Sequence, residues 1–143
     1  MTDYSKELLN EKLAQCARAL SDLKRYQKDG TLEYLRAHPD IYYAVCYRFI
    51  GLIEALFDVG QILLASRGLR AASELDIPVL LGKELIISTE LMSRFSAMYG
   101  FRNRLVHAYG TLDDEKVAEY LAKNLDDITA VLKVAKGDLE ARA

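Results

Sequence analysis

"PDIYYAVCYRFIGLIEALFDVGQILLA", Pro39 to Ala65, is the stretch whose reading decides the fold. Ile41, Val45, Phe49, Leu52, Leu56, Val59 and Leu63 follow at steps of four, four, three, four, three and four, the spacing that lines up one face of an α-helix. The remaining sides carry Tyr42, Tyr43, Cys46, Tyr47, Ile50 and Ile53. A helix that is apolar nearly all round belongs at the centre of a bundle or in a subunit interface. Pro39 and Asp40 suit its opening turn, where proline's missing N–H costs nothing.

Helical spacing continues outward from this segment. Upstream, Thr2 or Asp3 caps a first helix with an apolar stripe of Leu9, Leu13, Cys16, Leu20 and Leu23. "KDG" ends it, with Gly30 placed as a C-terminal cap, and a short segment around "LEYLRAHPD" follows. Downstream, "SRGLRAASELDIP" breaks the pattern, with Gly68 and Pro78 as punctuation. A third long segment is expected from about Leu80 to Tyr99, with Leu81, Leu85, Met92, Phe95 and Tyr99 along one face. "TLDDEK" reads as a helix start, with Thr111 and Asp114 in capping-box spacing. The last helix turns Val117, Leu121, Leu125, Ile128, Leu132 and Ala135 inward. No stretch alternates with period two. The expected architecture is an all-α antiparallel bundle of four to five helices, forming one domain over residues 1–143.

Composition narrows the function. The chain is 51% hydrophobic and 28% charged, with 19 Lys+Arg against 21 Asp+Glu and a net charge of -2. A surface that grips nucleic acid all over would be basic, so any such contact must come from a local patch. Cys16 and Cys46 show no metal-ligand spacing and lie among apolar residues, which reads as two reduced core thiols and no zinc. The polar start "MTDYSKELLNEK" is unlike a signal peptide. Apolar runs are broken by Arg48, Glu54 and Asp58 before they reach membrane-spanning length. The expected location is the cytoplasm, with no membrane association.

Two features carry chemistry. Glu54, Asp58 and Gln61 fall within about 60° of one another on the central helix. Such a polar line needs partners, and a solvent-facing strip is the ordinary explanation. Asp58, between Phe57 and Val59, is costly unless paired. The second feature is "GFRNRLVHAYG", Gly100 to Gly110, which gathers Arg102, Asn103, Arg104, His107 and Tyr109. A guanidinium holds phosphate oxygens in a two-point fork, and an imidazole moves protons near neutral pH. Isolated Arg and His residues in helical proteins are more often structural. On a regular helix Arg102 and His107 lie about 140° apart. They converge only if the helix bends or ends between them, which Gly100 and Gly110 permit, or if one reaches a second subunit.

"RNRLVHAY", Arg102 to Tyr109, matches the R-x4-H-x-Y form of the motif of HEPN domains. "MYGFRNRLVHAYGTLDDEKV" and "ALFDVGQILLASRGL" resemble the HepT toxin branch of that superfamily, and the likeness extends over roughly residues 5–135. The resemblance implies a symmetric homodimer with the paired motifs at its cleft. It implies a metal-independent endoribonuclease toxin that uses no cofactor and acts on RNA. It also implies an MNT-type nucleotidyltransferase antitoxin that transfers AMP to the motif tyrosine, here Tyr109. Arg102 and His107 are then the catalytic pair, with Asn103 and Asp58 supporting; Asp58 would orient Arg102 or His107. The competing expectations are a non-catalytic HEPN module, serving dimerisation or nucleotide binding beside a nucleotidyltransferase, and a plain helical scaffold.

Overall fold

In a computed structural model, which describes residues 1–107 and 113–142, the chain is all-α. Among the described residues there are seven helices: α1 (Asp3–Gln27), α2 (Leu32–Ala37), α3 (Pro39–Ala65), α4 (Asp76–Lys83), α5 (Thr89–Val106), α6 (Asp114–Lys123) and α7 (Leu125–Ala141). The long ones, α1, α3, α5 and α7, make the bundle. Ion pairs show the directions: Lys12 meets Asp58 at 2.9 Å and Asp22 meets Arg48 at 3.0 Å, so α1 and α3 run antiparallel. Phe49 against Phe101 and Phe57 against Phe95 show the same for α3 and α5.

α3 is central, as its all-round apolarity requires. Thirteen of its residues are buried, and it packs on α1, α4, α5 and α7. The α1 stripe is buried as spaced, from Leu9 to Leu23. Both cysteines are free and buried; burial pushes each thiol up to about 11. At the far end of α3, Arg67 pairs with Asp138 and ties α3 to α7.

Caps explain most helix starts. Thr2, Thr31, Ser88 and Asp113 each accept a backbone N–H from the first turn, satisfying donors that a helix start leaves without partners. Asp113 therefore caps α6; Thr111, the cap expected from the sequence, lies outside the described residues. α1 ends at Lys28 in a right-handed conformation, so Gly30 is not its cap. Gly30 is instead required by a close approach: a Cβ there would lie 2.5 Å from Leu121 Cδ2 and 2.6 Å from the Tyr26 carbonyl oxygen.

Two expected helices are each divided. The segment expected from Leu80 to Tyr99 becomes α4 and α5, because Leu85 turns left-handed at φ 58 and Ser88 restarts the chain. Pro78 lies inside the first turn of α4, where proline is tolerated. The last expected helix breaks at Asn124, which separates α6 from α7 while the apolar stripe keeps its period. No described helix is long and apolar enough to cross a membrane.

Candidate functional site

The motif segment occupies the C-terminal end of α5. The helix runs unbroken through Gly100, so that glycine introduces no irregularity, and it stops at Val106. His107 is the C-cap, at φ -105 and ψ 21, and its backbone N–H donates to the Asn103 carbonyl at 2.9 Å. The helix thus ends just before the histidine. Arg102, five residues earlier, leaves from the flank of α5 that faces α3.

Arg102 is largely enclosed, its side chain 15% exposed. One guanidinium nitrogen donates to Glu54 at 3.4 Å and the other to Glu74 at 2.6 Å. Nε is buried with no hydrogen-bond partner among the described residues, and the group lies 5.3 Å from the Tyr99 ring centroid. Both carboxylates are more than half exposed. The arrangement holds a cation in a fixed place at the edge of the α3/α5 seam, with the arms of its fork already engaged. A phosphate entering there would compete with two carboxylates or share the arginine with them.

The polar line on α3 divides its work. Glu54 reaches Arg102. Asp58 is paired with Lys12 of α1, so the carboxylate that the structure brings to Arg102 is Glu54, one turn nearer the N-terminus. Glu74, from the connection between α3 and α4, completes the clamp. Glu54 was visible in the sequence as part of the polar stripe. Glu74 was not: it lies 28 residues from Arg102 in a stretch that reads as a chain break, and only packing of the connection against α5 joins them. Asn103 is half-buried, and His107 and Arg104 are exposed. Tyr109 lies outside the described residues. No cluster of three or more His, Cys, Asp or Glu suited to a metal occurs among the described residues.

The same α3 face continues towards its N-terminus as an open aromatic strip. Tyr43 and Tyr47 are 62% and 70% exposed; by helical spacing they share a face with Ile50 and Glu54. Val106, at the end of α5, is also exposed.

The family model for ribonuclease HepT-like proteins matches residues 16–135, which includes α3 and the whole of α5. The chain belongs to the HepT-like family. A curated relative is the tRNA nuclease HepT of Aphanizomenon flos-aquae (strain 2012/KM1/D3), 26% identical over 119 residues, covering 82% of this chain and 80% of that protein. Among solved structures, the HepT-like fold matches the tri-AMPylated Shewanella oneidensis HEPN toxin in complex with its MNT antitoxin. That likeness has a TM-score of 0.83 and 22% identity, over 96% of this chain and 99% of the other. A toxin–antitoxin structure with AMP-PNP matches with a TM-score of 0.81 and 20% identity, over 94% and 99% of the two chains. At these identities the two structures establish a shared HEPN-like fold.

Proposed function

We infer that this HepT-like chain is the ribonuclease toxin of a toxin–antitoxin pair: a metal-independent endoribonuclease, active as a symmetric homodimer. Its antitoxin is an MNT-type nucleotidyltransferase that silences it by moving AMP from ATP onto Tyr109. The observation that carries the reading is the family match over residues 16–135, a span that contains Arg102 and His107, with the arginine held at the α3/α5 seam and the histidine at the exposed end of α5.

Cleavage uses the RNA's own 2′-hydroxyl as nucleophile. His107 takes its proton or delivers one to the leaving 5′-oxygen. Arg102 offsets the charge that builds on the phosphorus-centred transition state. The products are a 2′,3′-cyclic phosphate and a free 5′-hydroxyl. Asn103 positions the phosphate or fixes the loop, and its backbone carbonyl accepts the His107 N–H at the helix end. Asp58, through Lys12, holds α1 on α3; Glu54 and Glu74 orient Arg102. On a regular helix the two catalytic side chains diverge, and α5 is regular up to Val106. A second copy, covering the Tyr43/Tyr47 strip, supplies the facing motif. AMP on Tyr109 adds bulk and negative charge where RNA phosphate must sit.

The test is incubation of the purified chain with RNA in a chelator. Fragments with cyclic phosphate ends support the reading, as does their loss in His107→Ala, a change at an exposed residue that spares the core. Cleavage unchanged in both His107→Ala and Arg102→Ala would overturn it. For the antitoxin step, co-expression with an MNT-type transferase should raise the intact mass by AMP units, and Tyr109→Phe should abolish the shift.

A second reading has its own observation. Arg102 is mostly enclosed and its fork is engaged by Glu54 and Glu74, as in a non-catalytic module where the cluster serves only the helix packing. Under that reading Arg102→Ala lowers stability and the chain never cleaves RNA.

A further inference from the structure

α5 carries a second arginine on its other flank. Arg104 is two residues beyond Arg102, which places the two about 160° apart around the helix. Arg102 is clamped by carboxylates. Arg104 is exposed and makes no ion pair or side-chain hydrogen bond among the described residues. It borders a groove between α5 and α6 of about 250 Å³, lined by Ala97, Gly100, Phe101, Arg104, Lys116 and Tyr120.

Three properties of this groove suit an anion. First, Lys116 makes no ion pair among the described residues in spite of the acids beside it. Asp113 is used as the cap, accepting the backbone N–H of Lys116 at 3.2 Å. Asp114 is bound by Arg36 of α2 at 2.8 Å, and Glu115 lies 3.8 Å from the same arginine. The acids of the first turn of α6 are thus directed towards α2, and the lysine faces Arg104 across the groove. Second, the floor is rigid: the Phe101 and Tyr120 rings stack at 3.8 Å with planes 2° apart. Third, the space is kept open by a glycine. A Cβ at Gly100 would meet nothing within 4 Å, so packing does not demand glycine there, although glycine in a helix interior costs roughly 0.5–1 kcal/mol relative to alanine.

The open groove, about 250 Å³, has room for a phosphate group with the rest of a longer chain continuing outside it. We propose that the α5/α6 groove is a phosphate subsite for single-stranded RNA, in which Arg104 and Lys116 together hold one backbone phosphate of a nucleotide flanking the one cleaved. The subsite rests on the ribonuclease reading above. It gives an acidic chain the local cationic patch that RNA contact requires, on the flank of α5 away from the Glu54 and Glu74 carboxylates. The strand then crosses the end of α5, passing His107.

The test measures binding apart from cleavage. Full-length His107→Ala protein is titrated against a labelled single-stranded RNA oligonucleotide by fluorescence anisotropy over a series of salt concentrations. Adding Arg104→Gln and Lys116→Gln should raise Kd about tenfold and flatten the log Kd against log salt slope by about 0.7, the contribution of one phosphate on a single strand. Gly100→Leu, which fills the groove without changing charge, should weaken binding similarly. Lys133→Gln with Lys136→Gln, on α7 away from the groove, removes the same charge and should have a much smaller effect. Circular dichroism confirms that each variant is folded.

Equal losses from the α7 and groove pairs would mean a net-charge effect only and would overturn the subsite. So would unchanged binding in Gly100→Leu, or a groove pair that loses ATP binding and keeps RNA binding. These results leave the ribonuclease reading standing if the native chain cleaves RNA and His107→Ala does not. Absence of cleavage by the native chain removes both.

Discussion

Glu74→Gln separates two roles for the clamp on Arg102. Glu74 makes the shorter of the two contacts, at 2.6 Å, and Glu54 sits at 3.4 Å, so the arginine is surrounded by one more negative charge than it carries. The Gln variant keeps the shape and a hydrogen-bond acceptor while removing that excess charge. At a separation of about 5 Å from an incoming phosphate, one unit charge is worth about 0.8 kcal/mol in bulk water and about 3 kcal/mol at an effective dielectric of about 20. Glu74 is 56% exposed, which puts the effect near the lower end, about 1 kcal/mol, or about fivefold in Kd for RNA. The loss of a half-exposed ion pair costs stability by about 0.2–1 kcal/mol. Glu74→Gln should therefore bind RNA more tightly at low salt, with the gain fading as salt screens it, and melt slightly below the native protein. Anisotropy on the His107→Ala background gives the affinity, and a thermal melt gives the stability. If Glu74→Gln instead binds and cleaves RNA as poorly as Arg102→Ala does, the carboxylate is what places the guanidinium, and the charge argument fails.

Three further outcomes follow from the packing. Gly60→Ala should destabilise by about 1–3 kcal/mol in denaturant titration, because the new Cβ would lie 2.6 Å from Ile77 Cγ2 and 3.4 Å from Leu81 Cδ1; a neutral result would mean α4 is free to shift. Leu85→Gly should raise stability by about 1 kcal/mol, since Leu85 holds φ 58 and is 89% exposed, so relief of left-handed strain outweighs the little packing lost. Both buried thiols have pKa values raised from 9.0 to about 11 by desolvation. Above about pH 9 the unfolded chain releases protons that the folded chain retains, so stability should fall as pH rises from about 9 towards 11. A Cys16→Ala/Cys46→Ala double variant should lose that part of the alkaline slope.

The long helices were legible because burial imposes a period. A helix with one buried face repeats every three to four residues, and α1 and α3 carry that repeat without interruption. Their starts were equally local, as the Thr2 cap and Pro39 in the first turn show. The breaks were harder to read. Leu85 occupies a left-handed position that usually goes to glycine, so nothing in its residue type announces the stop. At Asn124 the backbone breaks while the apolar stripe steps on in register, since Leu121, Leu125 and Ile128 all face the same core. Gly30 looked like a cap and proved to be a contact point with Leu121, a residue distant in the chain.

The candidate site divides in the same way. The sequence alone determined the all-α class, the central place of α3 and the identity of the cationic motif, because helical period and motif spacing are properties of neighbouring residues. Only the tertiary structure decided which carboxylates meet Arg102. Asp58, singled out for its buried-looking neighbours, turns towards Lys12 on α1, while Glu54 and the distant Glu74 close on the arginine. The tertiary structure likewise decided that Arg104 faces α6 and makes no ion pair among the described residues. Charge pairing depends on distances of a few ångströms between helices, and those distances are set by how the bundle packs.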